Sequence, residues 1–275
     1  GALLPLAIHG VPLAVEFVIG AVVDRRPVPR IGPLALLRVW WGETWRSFMV
    51  FNVDQPWRAG FAEPVLLPDP RRPAVLFIHG YMCNRAVWRP WLMKGALPQR
   101  WNCATVNLEP PYGSVDDYAD GIADAVARLR AATGAQRVSL VGHSMGGLAA
   151  RAYLRRRGHD TVGRVVTIDT PHHGTLFARL GRGVNARQMR RAGDYVTALG
   201  RTAEPVEFVC FASHHDNLIV PRSAQVLAGA EAIWFERIGH LAMTGDDAVL
   251  RRVIDVVDRP LPEGRHGTGS PLSRG

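Results

Sequence analysis

Lysine and cysteine are scarce in this chain of 275 residues. Lys94 is the only lysine, so arginine carries nearly all of the positive charge behind the formal net charge of +9. The three cysteines, Cys83, Cys103 and Cys210, are too few for a disulfide framework, which excludes the class of small disulfide-stabilised domains. We expect buried free thiols, with a single Cys83–Cys103 bridge as the alternative.

Two further absences narrow the class of protein. No internal repeat is present, which excludes a solenoid. No basic run is interleaved with aromatic residues, so we expect no nucleic-acid partner and place the arginines mostly on solvated helix faces. The hydrophobic fraction of 47% suits one sizeable domain with a full core, together with an appended segment.

Residues 2–23 form a long apolar run in which Glu16 is the one charged residue before Asp24. At about 1.5 Å per residue, such a helix could cross a hydrocarbon core of about 30 Å. Glu16 opposes this, because a charge near the bilayer centre costs on the order of 2.5–3.5 kcal/mol. The run lacks a basic n-region and an A-x-A-like cleavage site, which argues against a signal peptide. We favour a membrane-associated helix over a core helix and place the protein at a membrane, with secretion as the alternative.

A second helix is predicted over residues 34–51, which hold Trp40, Trp41 and Trp45. An interfacial helix uses tryptophan in this way. A helix that covers a pocket, or one packed into a core, has the same composition, so all three interpretations stay open.

From Pro73 onward, short apolar runs alternate with helical segments. The predicted strands are 74–78, 104–108, 138–141, 162–168, 206–211 and 232–236. The predicted helices are 85–97, 114–132, the segment after Ser144, 176–199 and 246–257. This alternation predicts an α/β fold with a doubly wound, mostly parallel sheet flanked by helices and preceded by an apolar helical extension.

Gly142-His143-Ser144-Met145-Gly146 is a G-x-S-x-G sequence that stands between a predicted strand and a predicted helix. That context is typical of a nucleophile elbow, in which a sharp turn presents the serine hydroxyl above the sheet. The glycines remove the Cβ atoms that would collide where strand and helix approach closely. A serine in an ordinary strand-to-helix turn is the alternative.

A nucleophilic serine needs a base, and the base needs an orienting acid. Asp216 follows the strand ending at 211, and His240 follows the strand ending near 236. Because the carboxyl ends of parallel strands meet at one edge, we expect both residues near Ser144. His240 would accept the Ser144 proton and Asp216 would orient the imidazole. Asp169 is a rival acid, and a turn-forming role is the alternative for Asp216.

An oxyanion hole requires two backbone N–H groups. Met145, which follows the nucleophile, supplies the first candidate. Tyr81, in the loop after strand 74–78, supplies the second.

Two histidine pairs, His172–His173 and His214–His215, raise the question of a metal. Adjacent side chains point in different directions, and no H-x₃-H spacing appears, so we expect neither a metal nor another cofactor.

Three motifs together carry a family resemblance: Phe77-Ile-His-Gly-Tyr81, Gly142-His-Ser-Met-Gly-Gly147 and Thr170-Pro-His-His-Gly174. Over about residues 73–258 the sequence resembles the serine esterase and lipase branch of the α/β-hydrolase superfamily, in particular bacterial triacylglycerol lipases. The resemblance implies that Ser144, Asp216 and His240 form a catalytic triad, that Tyr81 and Met145 form the oxyanion hole, and that 176–199 is a lid. His79 and His143 are then motif residues that pack under the elbow. No paired-aspartate pattern supports a family calcium site.

The expected organisation is an N-terminal segment over 1–60, a hydrolase domain over 61–260 and a flexible tail over 261–275. The expected activity is hydrolysis of small-molecule or lipid carboxylic esters through an acyl-enzyme. A thioesterase, an acyltransferase or a polyester depolymerase with the same triad is the alternative. A non-catalytic membrane-associated binding protein on the same fold would require a broken triad.

Overall fold

The computed structural model describes residues 3–24, 27–62, 66–93, 96–200 and 206–261. Within these residues six strands form a sheet in the order β2-β1-β3-β4-β5-β6, and every neighbouring pair is parallel. The strands are β1 (Ala74–Ile78), β2 (Asn102–Val106), β3 (Val138–His143), β4 (Val162–Ile168), β5 (Glu207–Ser213) and β6 (Glu231–Phe235). The predicted doubly wound parallel sheet is therefore confirmed.

The strand order changes direction between β1 and β3. The chain runs outward from β1 to β2 and then crosses back to place β3 on the other side of β1. The register pairs Ile78 with Gly142, so the loop after β1 lies beside the turn after β3. Such a crossover opens a crevice at the carboxyl ends of the strands, which is where sites form on open α/β sheets.

Ten α-helices surround the sheet in the described part of the chain. They are α1 (Leu3–Val23), α2 (Pro33–Met49), α3 (Gln55–Trp57), α4 (Arg89–Leu92), α5 (Ala96–Arg100), α6 (Tyr118–Thr133), α7 (Met145–Arg157), α8 (Gly183–Gln188), α9 (Asp194–Gly200) and α10 (Asp247–Val257). One π-helical turn, Val50–Asp54, joins α2 to α3. Short 3-10 turns lie at Ala59–Ala62, Arg85–Trp88, Leu176–Arg179, Arg222–Gln225 and Ala242–Thr244.

Each face of the sheet has its own hydrophobic core, because alternate strand residues point to opposite sides. Leu76 and Ile78 join the cluster under α6 and α7, whereas Val75 and Phe77 join the cluster under α4, α5 and α10. The predicted strands are continuously apolar because both of their faces are covered.

Two predicted helices are interrupted in the structure. The segment 85–97 divides into a 3-10 turn and two short helices, because Pro90, in the first turn of α4, has no amide hydrogen to donate to the preceding turn. The segment 176–199 divides into a 3-10 turn, α8 and α9.

The N-terminal helices lie against each other and against the loops above the sheet. The Trp40 indole N–H donates to the Gly10 carbonyl at 2.8 Å, and a Cβ added to Gly10 would lie 2.9 Å from that indole ring. At the end of α1, the buried Asp24 carboxylate accepts from the Arg222 amide at 2.7 Å and pairs with its guanidinium at 3.4 Å. Arg222 lies in the 3-10 turn after β5, so the end of α1 is held beside the loops that follow the strands.

The outer face of α1 is apolar and open to solvent. Of the described helices, α1 is the one long and apolar enough by composition to cross a membrane. Its exposed residues recur at helical spacing and form what we call the outer stripe: Leu4, Ile8, Val11, Val15, Val18 and Val22. The inner face of α1 instead carries Gly10, Leu13, Glu16 and Gly20, which contact α2 or the loops.

Not all arginines lie on solvated faces. Arg164, on β4, is only 1% exposed, and its guanidinium pairs with Glu207 and donates to the carbonyls of Val256, Arg259 and Pro260. It therefore joins the end of α10 to the sheet. The prediction of a flexible tail from 261 falls, beyond Leu261 itself, outside the described residues.

Candidate active site

Ser144 stands at a strained turn between β3 and α7. Its φ of 54° and ψ of −123° are unusual for a residue other than glycine. A Cβ on Gly142 would lie 2.7 Å from the Gly146 carbonyl carbon, and one on Gly146 would lie 2.3 Å from the Ile78 oxygen. The spacing of the G-x-S-x-G sequence is thus required by the close approach of strand, turn and helix.

His240 lies in the loop after β6, and Asp216 lies in the loop after β5. The His240 Nδ1 and the Asp216 Oδ2 are 2.9 Å apart, and both side chains are buried. The other Asp216 oxygen accepts from the amides of Leu218 and Ile219 at 2.6 and 2.8 Å. Asp216 therefore has donors for both oxygens, which fixes the carboxylate and, through it, the imidazole.

The electrostatics of this pair favour an ionised acid and a basic imidazole. Burial alone would raise the pKa of Asp216, but the His240 imidazole and the Ile219 and Leu218 amides hold the pKa below its usual range. Burial alone would lower the pKa of His240, but the Asp216 carboxylate raises it above the ordinary value. Asp216 thus stabilises the protonated form of His240.

Asp169, the rival acid, directly follows β4 and lies near both His240 and Asp216. Its nearer oxygen is 4.0 Å from His240 Nδ1, compared with 2.9 Å for Asp216. One oxygen accepts from the Ser213 amide at 2.9 Å, and the side chain is fully buried. Burial and the neighbouring Asp216 carboxylate raise the pKa of Asp169 well above its usual range. Asp169 is therefore the weaker acid of the two, and Asp216 is the one that ionises more readily.

His79 and His143 pack under the elbow, as their motif positions suggest. His79 accepts from the Leu108 amide at 3.0 Å and donates to the Gly80 carbonyl, and burial lowers its pKa to about 4. The His143 Nε2 contacts the His240 carbonyl oxygen at 3.1 Å, and burial lowers the pKa of His143 well below its ordinary value. His143 is therefore a neutral donor that holds the backbone of the His240 loop.

A cavity of about 370 Å³ opens over Ser144 and His240. Its wall is largely apolar and includes Phe177, Leu180 and Met189, which belong to the predicted lid segment 176–199. This segment contributes part of the cavity wall in the structure, and its motion as a lid stays a prediction. Leu180 and Met82 are exposed at the same cavity, at 81% and 53%.

The two candidate oxyanion donors lie at this cavity. Tyr81 lines it, and Met145 begins α7 directly after Ser144. Within the described residues, no protein acceptor takes up the amide N–H of either residue. The Tyr81 hydroxyl holds its loop in place, because it donates to the Arg182 carbonyl and accepts from the Arg182 amide, both at 2.8 Å.

A family model described as the alpha/beta hydrolase fold matches residues 73–192, which span β1 to α8 and include the elbow. Together with the parallel sheet and the strand-turn-helix at Ser144, this match shows the α/β-hydrolase fold. The chain is also similar in structure to a lipase of Bacillus licheniformis in its mature form, with a TM-score of 0.63 and 17% identity over 71% of this chain and 96% of that one. Lipase B of Aspergillus fumigatus superposes with a TM-score of 0.60 and 10% identity, over 94% of this chain and 82% of that one.

Parts of the sequence are similar to bacterial triacylglycerol lipases. The Pseudarthrobacter phenanthrenivorans lipase is 49% identical over 53 residues, which cover 19% of this chain and 16% of that lipase. The Pseudomonas fragi lipase is 27% identical over 107 residues, which cover 38% of this chain and 36% of that lipase. The alignments thus span about a third or less of these curated relatives.

Three polar residues at the site were not predicted from the sequence. Glu43 on α2 accepts from the Leu241 and Ala242 amides, and Glu16 on α1 accepts from the Asn217 side chain at 2.6 Å. The Asn217 oxygen in turn accepts from the His240 amide at 3.1 Å. A single acid inside an apolar run was the available signal for Glu16, although we interpreted it as a cost against membrane insertion.

The histidine pairs have protein partners. His172 contacts the Thr167 hydroxyl at 3.0 Å, His214 stacks on Trp234, and His215 accepts from the Arg237 amide. Among the described residues, the one three-ligand cluster with a metal-like arrangement is Asp169, Asp216 and His240, whose ligand atoms lie within 4.8 Å of one another. The His240–Asp216 hydrogen bond already uses Nδ1, so this cluster suits an acid–base pair better than a cation. The absence of a metal stays a prediction.

All three cysteines are free, so the alternative of a Cys83–Cys103 bridge is wrong for this structure. Burial raises the pKa of the Cys83 and Cys103 thiols to about 12. Both thiols are therefore protonated at neutral pH and poor nucleophiles.

Proposed function

We propose that this protein hydrolyses carboxylic esters, as a lipase or carboxylesterase, with Ser144 as nucleophile, His240 as base and Asp216 as acid. The observation that carries the proposal is the 2.9 Å contact between His240 Nδ1 and Asp216 Oδ2 at a cavity whose wall includes the strained Ser144 turn. The bacterial lipase relatives support the same chemistry.

The proposed reaction proceeds in two halves. Ser144 Oγ attacks the ester carbonyl carbon while its proton passes to His240 Nε2, and the amides of Tyr81 and Met145 stabilise the oxyanion. The alkoxide leaves with the proton from His240, which yields an acyl-Ser144. Water then attacks the acyl carbon, gives its proton to His240 and releases the carboxylic acid, while Ser144 regains its proton.

Hydrolysis of p-nitrophenyl esters from acetate to palmitate tests the proposal. We expect activity that Ser144→Ala reduces by at least about 10³-fold, because the remaining groups can bind but not acylate. The apolar cavity favours acyl chains over polar substrates. Full activity of Ser144→Ala would contradict the triad, and faster turnover of acyl thioesters than of matched esters would identify a thioesterase instead.

We further propose that the protein associates with a membrane surface through the outer stripe and that α1 lies along the surface instead of crossing it. The inner face of α1 supports this orientation, because Glu16 lines the cavity and Asp24, directly after α1, pairs with the buried Arg222. Trp41 and Trp45 on α2 are about half exposed and suit the bilayer interface. Leu13 of α1 also lines the cavity, so the lipid-facing helix would border the entrance used by a lipid ester.

A further inference from the structure

Glu43 connects α2 to the loop that carries His240. Its two carboxylate oxygens accept one hydrogen bond each, from the Leu241 amide at 2.7 Å and from the Ala242 amide at 2.8 Å. Glu43 is only 2% exposed, and the two donors directly follow His240 in sequence. One side chain of the N-terminal segment therefore holds the backbone on the carboxyl side of His240.

The residue before His240 leaves room for this contact. A Cβ added to Gly239 would lie 2.6 Å from the Glu43 Oε2 and 2.8 Å from its Cδ. One turn further along α2, the Arg46 guanidinium donates to the Thr244 hydroxyl at 3.1 Å, and Thr244 ends the 3-10 turn after His240. Helix α2 thus contacts the His240 loop at two points.

Helix α1 reaches the amino side of the same histidine. The Glu16 carboxylate accepts from the Asn217 side chain, whose oxygen accepts from the His240 amide. The His240 backbone is therefore held on one side by α2 and on the other, through Asn217, by α1.

We propose that Glu43 is a positioning residue for His240, and that the α1–α2 pair is part of the catalytic apparatus as well as a surface for lipid. The proposal rests on the proposed function, since it assigns to His240 the role of base. Glu43 lines the cavity, but its two carboxylate oxygens are taken up by the Leu241 and Ala242 amides. It therefore acts by fixing the His240 loop and by placing a negative charge near the imidazole.

The charge of Glu43 is one of several that act on His240. Asp216 from the β5 loop, Asp169 from the end of β4 and Glu16 from α1 are the other acids, and His143 from β3 lies 4.7 Å away, ring centroid to ring centroid. Burial raises the pKa of Glu43, and the two amides and the imidazole oppose that rise. An N–H donor on each oxygen fits the ionised carboxylate, because a protonated acid would have to direct its own hydrogen elsewhere.

The test is the pH profile of kcat/KM on p-nitrophenyl butyrate, a soluble ester, without any membrane. We compare Ser144→Ala, Glu43→Gln and Asp24→Asn with the wild type. We expect Glu43→Gln to lower kcat at least about tenfold and to move the ascending limb to lower pH by about 0.5 to 1 unit, because loss of a nearby negative charge lowers the pKa of His240. Asp24→Asn removes a buried carboxylate at the end of α1. It should therefore lower the midpoint of thermal unfolding without moving the ascending limb of the pH profile.

The proposal would be overturned if Glu43→Gln lowered kcat/KM by the same factor at every pH. It would also be overturned if the pH profile of Glu43→Gln matched that of the wild type. If Glu43→Gln does not fold, Gly239→Ala replaces it, because the new Cβ displaces the Glu43 carboxylate while all charges are kept. We expect the same downward shift, and a wild-type profile in a folded Gly239→Ala would also overturn the proposal. An active Ser144→Ala would instead refute the proposed function itself, so the two failures are distinguishable.

Discussion

Asp216 and Asp169 both lie near Nδ1 of His240, and their surroundings give them different acid strengths. Asp216 receives two amide donors and the imidazole, whereas Asp169 receives one amide and lies beside another acid. A difference of about 1 Å in the distance to Nδ1 separates a hydrogen-bonded partner from a neighbour.

Replacing each acid in turn tests this difference. We expect Asp216→Asn to lower kcat/KM by roughly 10³- to 10⁴-fold, because an amide cannot stabilise the imidazolium. Asp169→Asn keeps an oxygen for the Ser213 amide and should cost less than about tenfold. Steady-state kinetics on one soluble ester measures both, and the reverse ranking would make Asp169 the catalytic acid.

Glu16 gives the molecule a predictable pH dependence of stability. Burial raises the pKa of Glu16 to about 7 from an ordinary value of 4.5, although the Asn217 side chain partly offsets this. Below pH 4.5 the group is protonated in both the folded and unfolded states. As the pH rises from 4.5 to 7, ionisation favours the unfolded chain, and the penalty levels off at no more than about 3.4 kcal/mol.

Glu16→Gln should therefore stabilise the protein more at pH 8 than at pH 4.5, because glutamine keeps an acceptor for Asn217 without the charge. Urea unfolding of both proteins at the two pH values gives the difference. Glu236→Gln, at an exposed position, is the matched control and should show no such difference. If Glu16→Gln raised the free energy of unfolding by the same amount at both pH values, the raised pKa of Glu16 would be contradicted.

At the scale of elements, the contact between α1 and α2 depends on a glycine. Gly10 carries no side chain where the Trp40 ring crosses α1, whereas Gly42, in the middle of α2, faces open space. Alanine at either position improves helix propensity by about 0.5–1 kcal/mol. At Gly10 the added methyl also forces the two helices apart, which typically costs about 1–3 kcal/mol.

We therefore expect Gly42→Ala to raise the free energy of unfolding and Gly10→Ala to lower it. Chemical denaturation of the two variants beside the wild type measures both changes. Because the substitution and the helix pair are the same, the difference between the variants isolates the contact with Trp40. If both variants raised the free energy of unfolding equally, the two helices would not be in contact at Gly10.

The sheet and the elbow could be predicted because their determinants are local in sequence. Apolar strand runs bounded by turns predict the parallel sheet, and the sequence from Gly142 to Gly146 indicates the turn within five residues. Asp216 and His240 were predictable from their places after two strands. The roles of Glu16 and Glu43 could not be derived in this way, because their partners lie about 200 residues away. Nothing in the N-terminal helices alone indicates which loop they contact.

At the scale of the whole molecule, the proposed association with lipid combines the net charge of +9 with the outer stripe. Charge attracts the protein to anionic lipid over about one Debye length, close to 10 Å at 0.1 M salt, and apolar side chains then insert. The surface proposal therefore predicts binding to vesicles that combines a salt-sensitive and a salt-resistant part.

Vesicle co-sedimentation with and without anionic lipid, at low and high salt, separates the two parts. We expect Val11→Asp combined with Val15→Asp to abolish the salt-resistant binding, because both side chains belong to the outer stripe. Ala127→Asp, an exposed substitution on α6, is the control for an added charge and should keep the salt-resistant part. Undiminished binding of a folded double variant would rule out the stripe as the lipid surface.

The separation of 198 residues between Glu43 and the amide of Leu241 also has a consequence during synthesis. At translation rates of about 5–20 residues per second, the helix pair leaves the ribosome about 10–40 s before the loop that it holds. During that interval the faces of α1 and α2 that later cover the His240 loop are exposed together with the outer stripe. The nascent chain is therefore most prone to aggregation early in synthesis, and a nearby membrane or a chaperone would protect it until the last strand and its loop arrive.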